Sequence, residues 1–163
     1  MKWSQLLFIM ALFAMTAVIA GADSSLDPVE SKVKDSGLKY RKDEDGDLRV
    51  TFDMGGGRTQ LVFVNGQTES FENVQYVEIW SIAALSESRP VNAGQMRKLL
   101  NGIDEEVGHW CLKKPSSPGQ KWSLYYSVHL SLSASAKDFE AAIRACGAIA
   151  DDKENDLLGT DDF

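Results

Sequence analysis

Four side chains of this sequence could hold a metal ion or form a covalent link: His109, Cys111, His129 and Cys146, which are all its histidines and cysteines. His109 and Cys111 stand two apart, so on a strand they share a face. Together with His129 they make a nitrogen–sulfur–nitrogen set of the kind that holds zinc or copper. Cys111 and Cys146 offer a second chemistry, one disulfide, if the chain works in an oxidising compartment. Neither has the cationic neighbours or Cys-x-x-Cys spacing of a reactive thiol. Gly-x-Ser-x-Gly is absent, and no serine or cysteine stands beside a histidine in an evident triad. Glu105 and Glu106 are adjacent on a predicted helix and point about 100° apart, so they do not make a glycosidase pair. Asp43-Glu44-Asp45-Gly46-Asp47 has the oxygens of a calcium loop. Its glycine is misplaced for an EF-hand and strands flank it, so a hairpin turn is expected.

The elements that must position these residues follow from periodicity. Asp27-Pro28 reads as N-cap and first helical position, with Val29 and Val33 on one side and Gly37 as the stop. Leu38–Lys42 could begin a strand. Alternation predicts strands over Asp47–Asp53, Arg58–Asn65 and Val74–Leu85, with Asn65-Gly66 as a hairpin signal. Met96, Leu99, Leu100, Ile103 and Val107 repeat at helical spacing after Asn92, and Gly108 ends that helix. His109–Lys114 and Lys121–Leu132 are strands around the loop Pro115–Gln120. A last helix starts at Ser135, with Asp138 three residues on and a stripe of Phe139, Ala142, Ile143, Cys146 and Ile149. The order α-β-β-β-α-β-β-α predicts an α+β domain, a twisted antiparallel sheet with helices on one face.

Strand parity then weighs the chemistry. Trp110 and Leu112 take the core face, which puts Cys111 on the other, whereas Cys146 faces the sheet from the last helix. A bridge is then excluded, unless a bulge or the reverse register restores it. With Leu112 opposite Leu124, His109 faces Ser127. The diagonal to His129 is about 7 Å or more, so no metal and no cofactor are expected. Tyr76, Trp80 and Ile82 project oppositely to Val77 and Ile79, and Tyr125 opposes Tyr126. If all helices cover one face, these side chains form an apolar patch on the other. That patch would be a surface for a protein or peptide partner or for a homodimer. The alternative is that the loop Gln67–Asn73 covers them.

Composition bounds the setting. Met1–Ala22 has one cation, Lys2, then an apolar run over Leu6–Ile19, then Ala20-Gly21-Ala22. That is the pattern of a secretory signal peptide, too short for a membrane span, and it predicts a periplasmic or secreted protein that leaves the membrane after cleavage. The 163-residue chain carries a net charge of −7 with no basic cluster, which argues against nucleic acid and anionic membranes as partners. The segment Asp151–Phe163 is acidic, lacks an apolar face and is expected to be a disordered tail.

The Asp45-Gly46-Asp47 turn, the three antiparallel strands, the helix leading into Gly108–Leu112 and the strand Leu124–Leu132 with its terminal helix resemble the bacterial YbjN-type domain. The resemblance covers roughly Leu26 to Ala150, or residues 26–150. That family is described as a putative sensory transduction regulator and is similar in fold to type III secretion chaperones. It implies protein binding and carries no established catalytic residues. Two features depart from it: the export segment, and the loop Pro115–Gln120 where an acidic-Gly turn is usual. The expected function is an exported, non-enzymatic protein- or peptide-binding domain with Tyr76, Trp80 and Ile82 as contacts. The competing expectation is a metal or redox module using His109, Cys111 and His129.

Overall fold

The computed structural model describes residues 27–101 and 107–159. The leader Met1–Ala22, Ile103, the Glu105-Glu106 pair and Thr160–Phe163 lie outside the described residues. The chain runs α1 (Pro28–Asp35), β1 (Arg41–Lys42), β2 (Leu48–Gly55), β3 (Arg58–Val64), β4 (Glu69–Phe71), β5 (Val74–Ser86), α2 (Ala93–Asn101), β6 (His109–Lys113), β7 (Trp122–Ser131) and α3 (Ala136–Leu158). This is an α+β fold with one antiparallel sheet in the order β1-β2-β3-β5-β7-β6, and β4 pairs with the start of β5. Relative to the expected order, β4 is an addition, and β1 falls within Leu38–Lys42, where an extra strand could begin.

Local chemistry sets the helix starts. Asp27 accepts the Val29 N–H at 2.8 Å with Pro28 in the first turn of α1. Asn92 and Gln95 exchange bonds of 2.9 and 2.8 Å at the start of α2. Ser135 and Asp138 form a reciprocal capping box on α3. Ser135→Ala is expected to cost about 1 kcal/mol, read as a lower urea midpoint at unchanged slope. An unchanged midpoint would mean that the cap contributes nothing.

All three helices pack on one face. Leu48, Val50, Val62, Val64, Ile79, Tyr126 and Val128 of the sheet bury Val29 and Val33 of α1 and Phe139, Ile143 and Cys146 of α3. A second cluster joins Ala84, Val91 and Leu124 to Met96 and Leu99 of α2 and Leu157 of α3. At about 25 cal/mol per Å² of apolar surface removed from water, this shared face is the main source of stability. Among the described residues, no helix is long and apolar enough to cross a membrane.

Two expectations are corrected. Asn65-Gly66 does not close a two-residue hairpin. The chain makes an excursion through β4 before β5 pairs with β3 at Val64–Ile79. Gly66 is required there for another reason: a Cβ would lie 2.1 Å from the Gly46 carbonyl oxygen. The second correction concerns the tail, which is helical through Leu158. Its stripe continues from Cys146 through Ala150, Asp151, Glu154 and Leu157, with Asp151 8 % and Glu154 0 % exposed. Arg58, at the start of β3, meets Asp151 Oδ1 at 2.7 Å and Glu154 Oε2 at 3.9 Å. The helix continues because a distant cation neutralises the acids that would otherwise keep it from packing.

Candidate binding face

Five antiparallel strands place one row of side chains across the face opposite the helices. Arg49, Phe63, Trp80, Ser127 and His109 are successive cross-strand partners on β2, β3, β5, β7 and β6. Ile82, Tyr125 and Cys111 form the next row, and Glu78 faces His129. Directly opposed side chains on one face touch, which makes each row a chain of contacts. The Arg49 guanidinium lies 5.4 Å from the Phe63 ring centre. Phe63 and Trp80 stack at 4.2 Å and 10°, and Tyr125 meets Trp80 edge-on at 5.9 Å. Tyr76 donates to Glu69 Oε2 at 3.0 Å and packs edge-on against His129 at 5.5 Å.

Tyr76, Trp80 and Ile82 therefore lie where strand parity puts them, on the helix-free side, and each is half-buried. The loop Gln67–Asn73 does not cover them. It contributes β4, which extends the sheet edge-on and leaves Phe71 71 % and Val74 49 % exposed at the hairpin tip. Phe63, Arg49 and Tyr125 complete the row. Phe63 was hidden in the sequence by the unbroken apolar run Leu61–Val64, which carries no parity signal.

The two thiols are free and lie on opposite sides of the sheet. Cys146 is fully buried and points at the carbonyls of Ile79 and Tyr126, 3.7 and 3.5 Å away. Cys111 lies in the open-face row beside Tyr125. The disulfide considered for Cys111 and Cys146 is thus excluded by the sheet that separates them. Burial, and secondarily the Glu78 charge, pushes the Cys146 thiol up to about 12. Burial and a hydrogen bond to Cys111 push the Tyr125 hydroxyl up to about 12. Burial also raises the Cys111 thiol. These acids lose their protons in the unfolded chain first, at their ordinary values of about 8.5 and 10. For the fully buried Cys146, stability is therefore intact below about pH 8 and falls as pH rises toward 12, at up to about 1.4 kcal/mol per pH unit. Urea unfolding across that window checks this, and Cys146→Ala should flatten the decline. A stability that is constant up to pH 11 would contradict it.

The imidazoles of His109 and His129 stack at 5.4 Å and 8°, bridging the diagonal that separates their strand positions. Stacked parallel rings hold their nitrogens in separate planes and do not converge on one ion. Among the described residues, no group of three histidine, cysteine, aspartate or glutamate side chains comes together as a metal site. Ser127, Glu78 and the two histidines do come close in register, which the sequence alone did not suggest. Ser127 is fully buried, and its hydroxyl donates to Glu78 Oε1 at 2.7 Å. A nucleophilic serine needs an accessible oxygen and a histidine base, and this one has its proton on a carboxylate. Gly108 lets β6 start against β7, since a Cβ there would lie 2.2 Å from the Ser127 carbonyl oxygen. In the acid-rich turn, the Asp43 carboxylate accepts the N–H groups of Asp45 and Asp47 and pairs with Arg49 at 3.0 Å, so its oxygens hold the turn.

A groove of roughly 370 Å³ opens at one end of this face, where Trp80, Ile82 and Tyr125 meet Lys113, Lys114 and Lys121 of the β6–β7 hairpin. No family model matches the chain, and no curated protein and no solved structure is significantly similar to it.

Proposed function

We propose that the protein is an exported, non-enzymatic domain that binds a protein or peptide on the helix-free face of its sheet. Tyr76, Trp80 and Ile82 are contacts, joined by Phe63 and Tyr125. The observation that carries this reading is the continuous aromatic row on a face with no helix over it among the described residues. Rigid aromatic side chains supply large contact area at small entropic cost, and they dominate the energetics of protein interfaces. The role agrees with what the resemblance to the YbjN-type domain and the secretion chaperones implies. The leader sets the place of action in the periplasm or outside the cell. On this face Ser127 is buried with its hydroxyl donated to Glu78, so it does not present a nucleophile. The metal or redox reading through His109, Cys111 and His129 has the weaker support, because the imidazoles face each other and not a common centre.

Affinity capture with the mature chain as bait, run beside Trp80→Ala, tests the proposal. A protein retained by the parent chain and lost from the variant supports it, and identical retained sets contradict it. Sedimentation of both forms reads self-association: a dimer that Trp80→Ala dissolves identifies a second copy as the occupant.

A further inference from the structure

We infer that the groove at the end of the open face selects an anionic peptide segment, one apolar side chain seated on Trp80, Ile82 and Tyr125 and carboxylates on Lys113, Lys114 and Lys121. This inference rests on the binding role proposed for the face and specifies its ligand. The chain as a whole carries a charge of −7, yet among the described residues the groove is lined by three lysines against one carboxylate. That carboxylate, Glu78, accepts the Ser127 hydroxyl. Lys121 pairs with Glu87 at 3.7 Å, and the two side chains are 50 % and 80 % exposed. A pair so exposed is weak and leaves the ammonium available to a ligand. The groove is therefore a cationic site on an anionic protein, and it selects for ligand charge by attraction in the groove and repulsion elsewhere. Its volume admits a bulky side chain with its flanking backbone.

The ring geometry favours a peptide over a nucleic acid. Single-stranded bases bind by stacking on open aromatic faces. Here Phe63 and Trp80 turn their faces to each other at 4.2 Å, and Tyr125 abuts Trp80 at 67°. Apolar side chains pack against such edges without needing a free ring face.

Fluorescence anisotropy with three dye-labelled probes tests the inference on the full mature chain. The first is a short peptide in which aspartates flank a phenylalanine and a leucine. The second has lysines in place of the aspartates, and the third is a short oligothymidylate. The aspartate peptide is expected to bind, and to weaken roughly tenfold between about 0.05 and 0.5 M salt. Lys113→Glu with Lys114→Glu and Lys121→Glu, all at exposed positions, should cost it roughly tenfold or more. Equal binding of aspartate and lysine peptides, both lost in Trp80→Ala, would overturn the charge selection while leaving the binding face intact. Failure of the aspartate peptide to bind, tighter binding of the oligonucleotide, or a dimer that excludes the peptide would each overturn the inference.

Discussion

Arg58→Ala is expected to lower the stability of the domain by about 3–5 kcal/mol, the cost of stranding buried charge. Arg58 Nε and Nη2 lie 3.1 and 2.7 Å from Asp151 Oδ1, Nη2 also reaches the Asp151 carbonyl at 3.3 Å, and Glu154 is fully buried beside them. Removing the guanidinium leaves two acids on the packed side of α3. The last two turns of the helix then have to undock, together with Leu157, which packs in the second core cluster. Urea and thermal unfolding measure this, with a midpoint lower by roughly 10 °C or more. The exposed pair Lys121–Glu87, at 3.7 Å, is the control, and Glu87→Ala should move the midpoint far less. Replacing Arg58, Asp151 and Glu154 together by apolar residues of similar volume should recover most of the loss, because a buried ion pair is held by mutual compensation. An Arg58→Ala protein as stable as the parent would mean that the acidic end of α3 is not held by this contact.

Trp80→Ala is expected to separate binding from folding. Trp80 is half-buried, and its ring contacts are Phe63 and Tyr125 on the same open face. The helix-side core is untouched by the substitution, so the folding cost should stay at about 2–3 kcal/mol, the two aromatic pairings plus the half-buried ring area. At the centre of an interface the same truncation costs at least about 2 kcal/mol, or roughly thirtyfold in Kd for the protein retained by affinity capture. Calorimetric titration beside thermal unfolding of the same variant reads both quantities. A large fall in stability with unchanged affinity would assign Trp80 to the fold and not to binding.

Much of the open face was legible because strand parity is a local rule. Val77 and Ile79 against Tyr76, Trp80 and Ile82 set both faces of β5, and Trp110 and Leu112 against Cys111 put that thiol on the open face, with a bulge or the reverse register as the alternative. The helix starts at Asp27 and Ser135 were legible for the same reason, since a cap and its N–H lie within three residues. What stayed hidden depends on partners remote in sequence. The acidic residues Asp151 and Glu154 read as a solvated tail until Arg58, 93 residues away from Asp151, is placed beside them. The stacking of His109 on His129 crosses a diagonal that register alone leaves open. The groove gathers Lys113, Lys114 and Lys121 from the two sides of the β6–β7 connection, around the loop Pro115–Gln120. Its charge is visible only once the hairpin stands beside Trp80 and Tyr125.

The central claim is that the helix-free face, and not the helical one, meets the partner. Site-specific photocrosslinking tests it most directly, with benzoylphenylalanine replacing Trp80 in one chain and the exposed Ala141 of α3 in another. The account predicts a discrete crosslinked product from position 80 and none from position 141. Products from position 141 alone would contradict it.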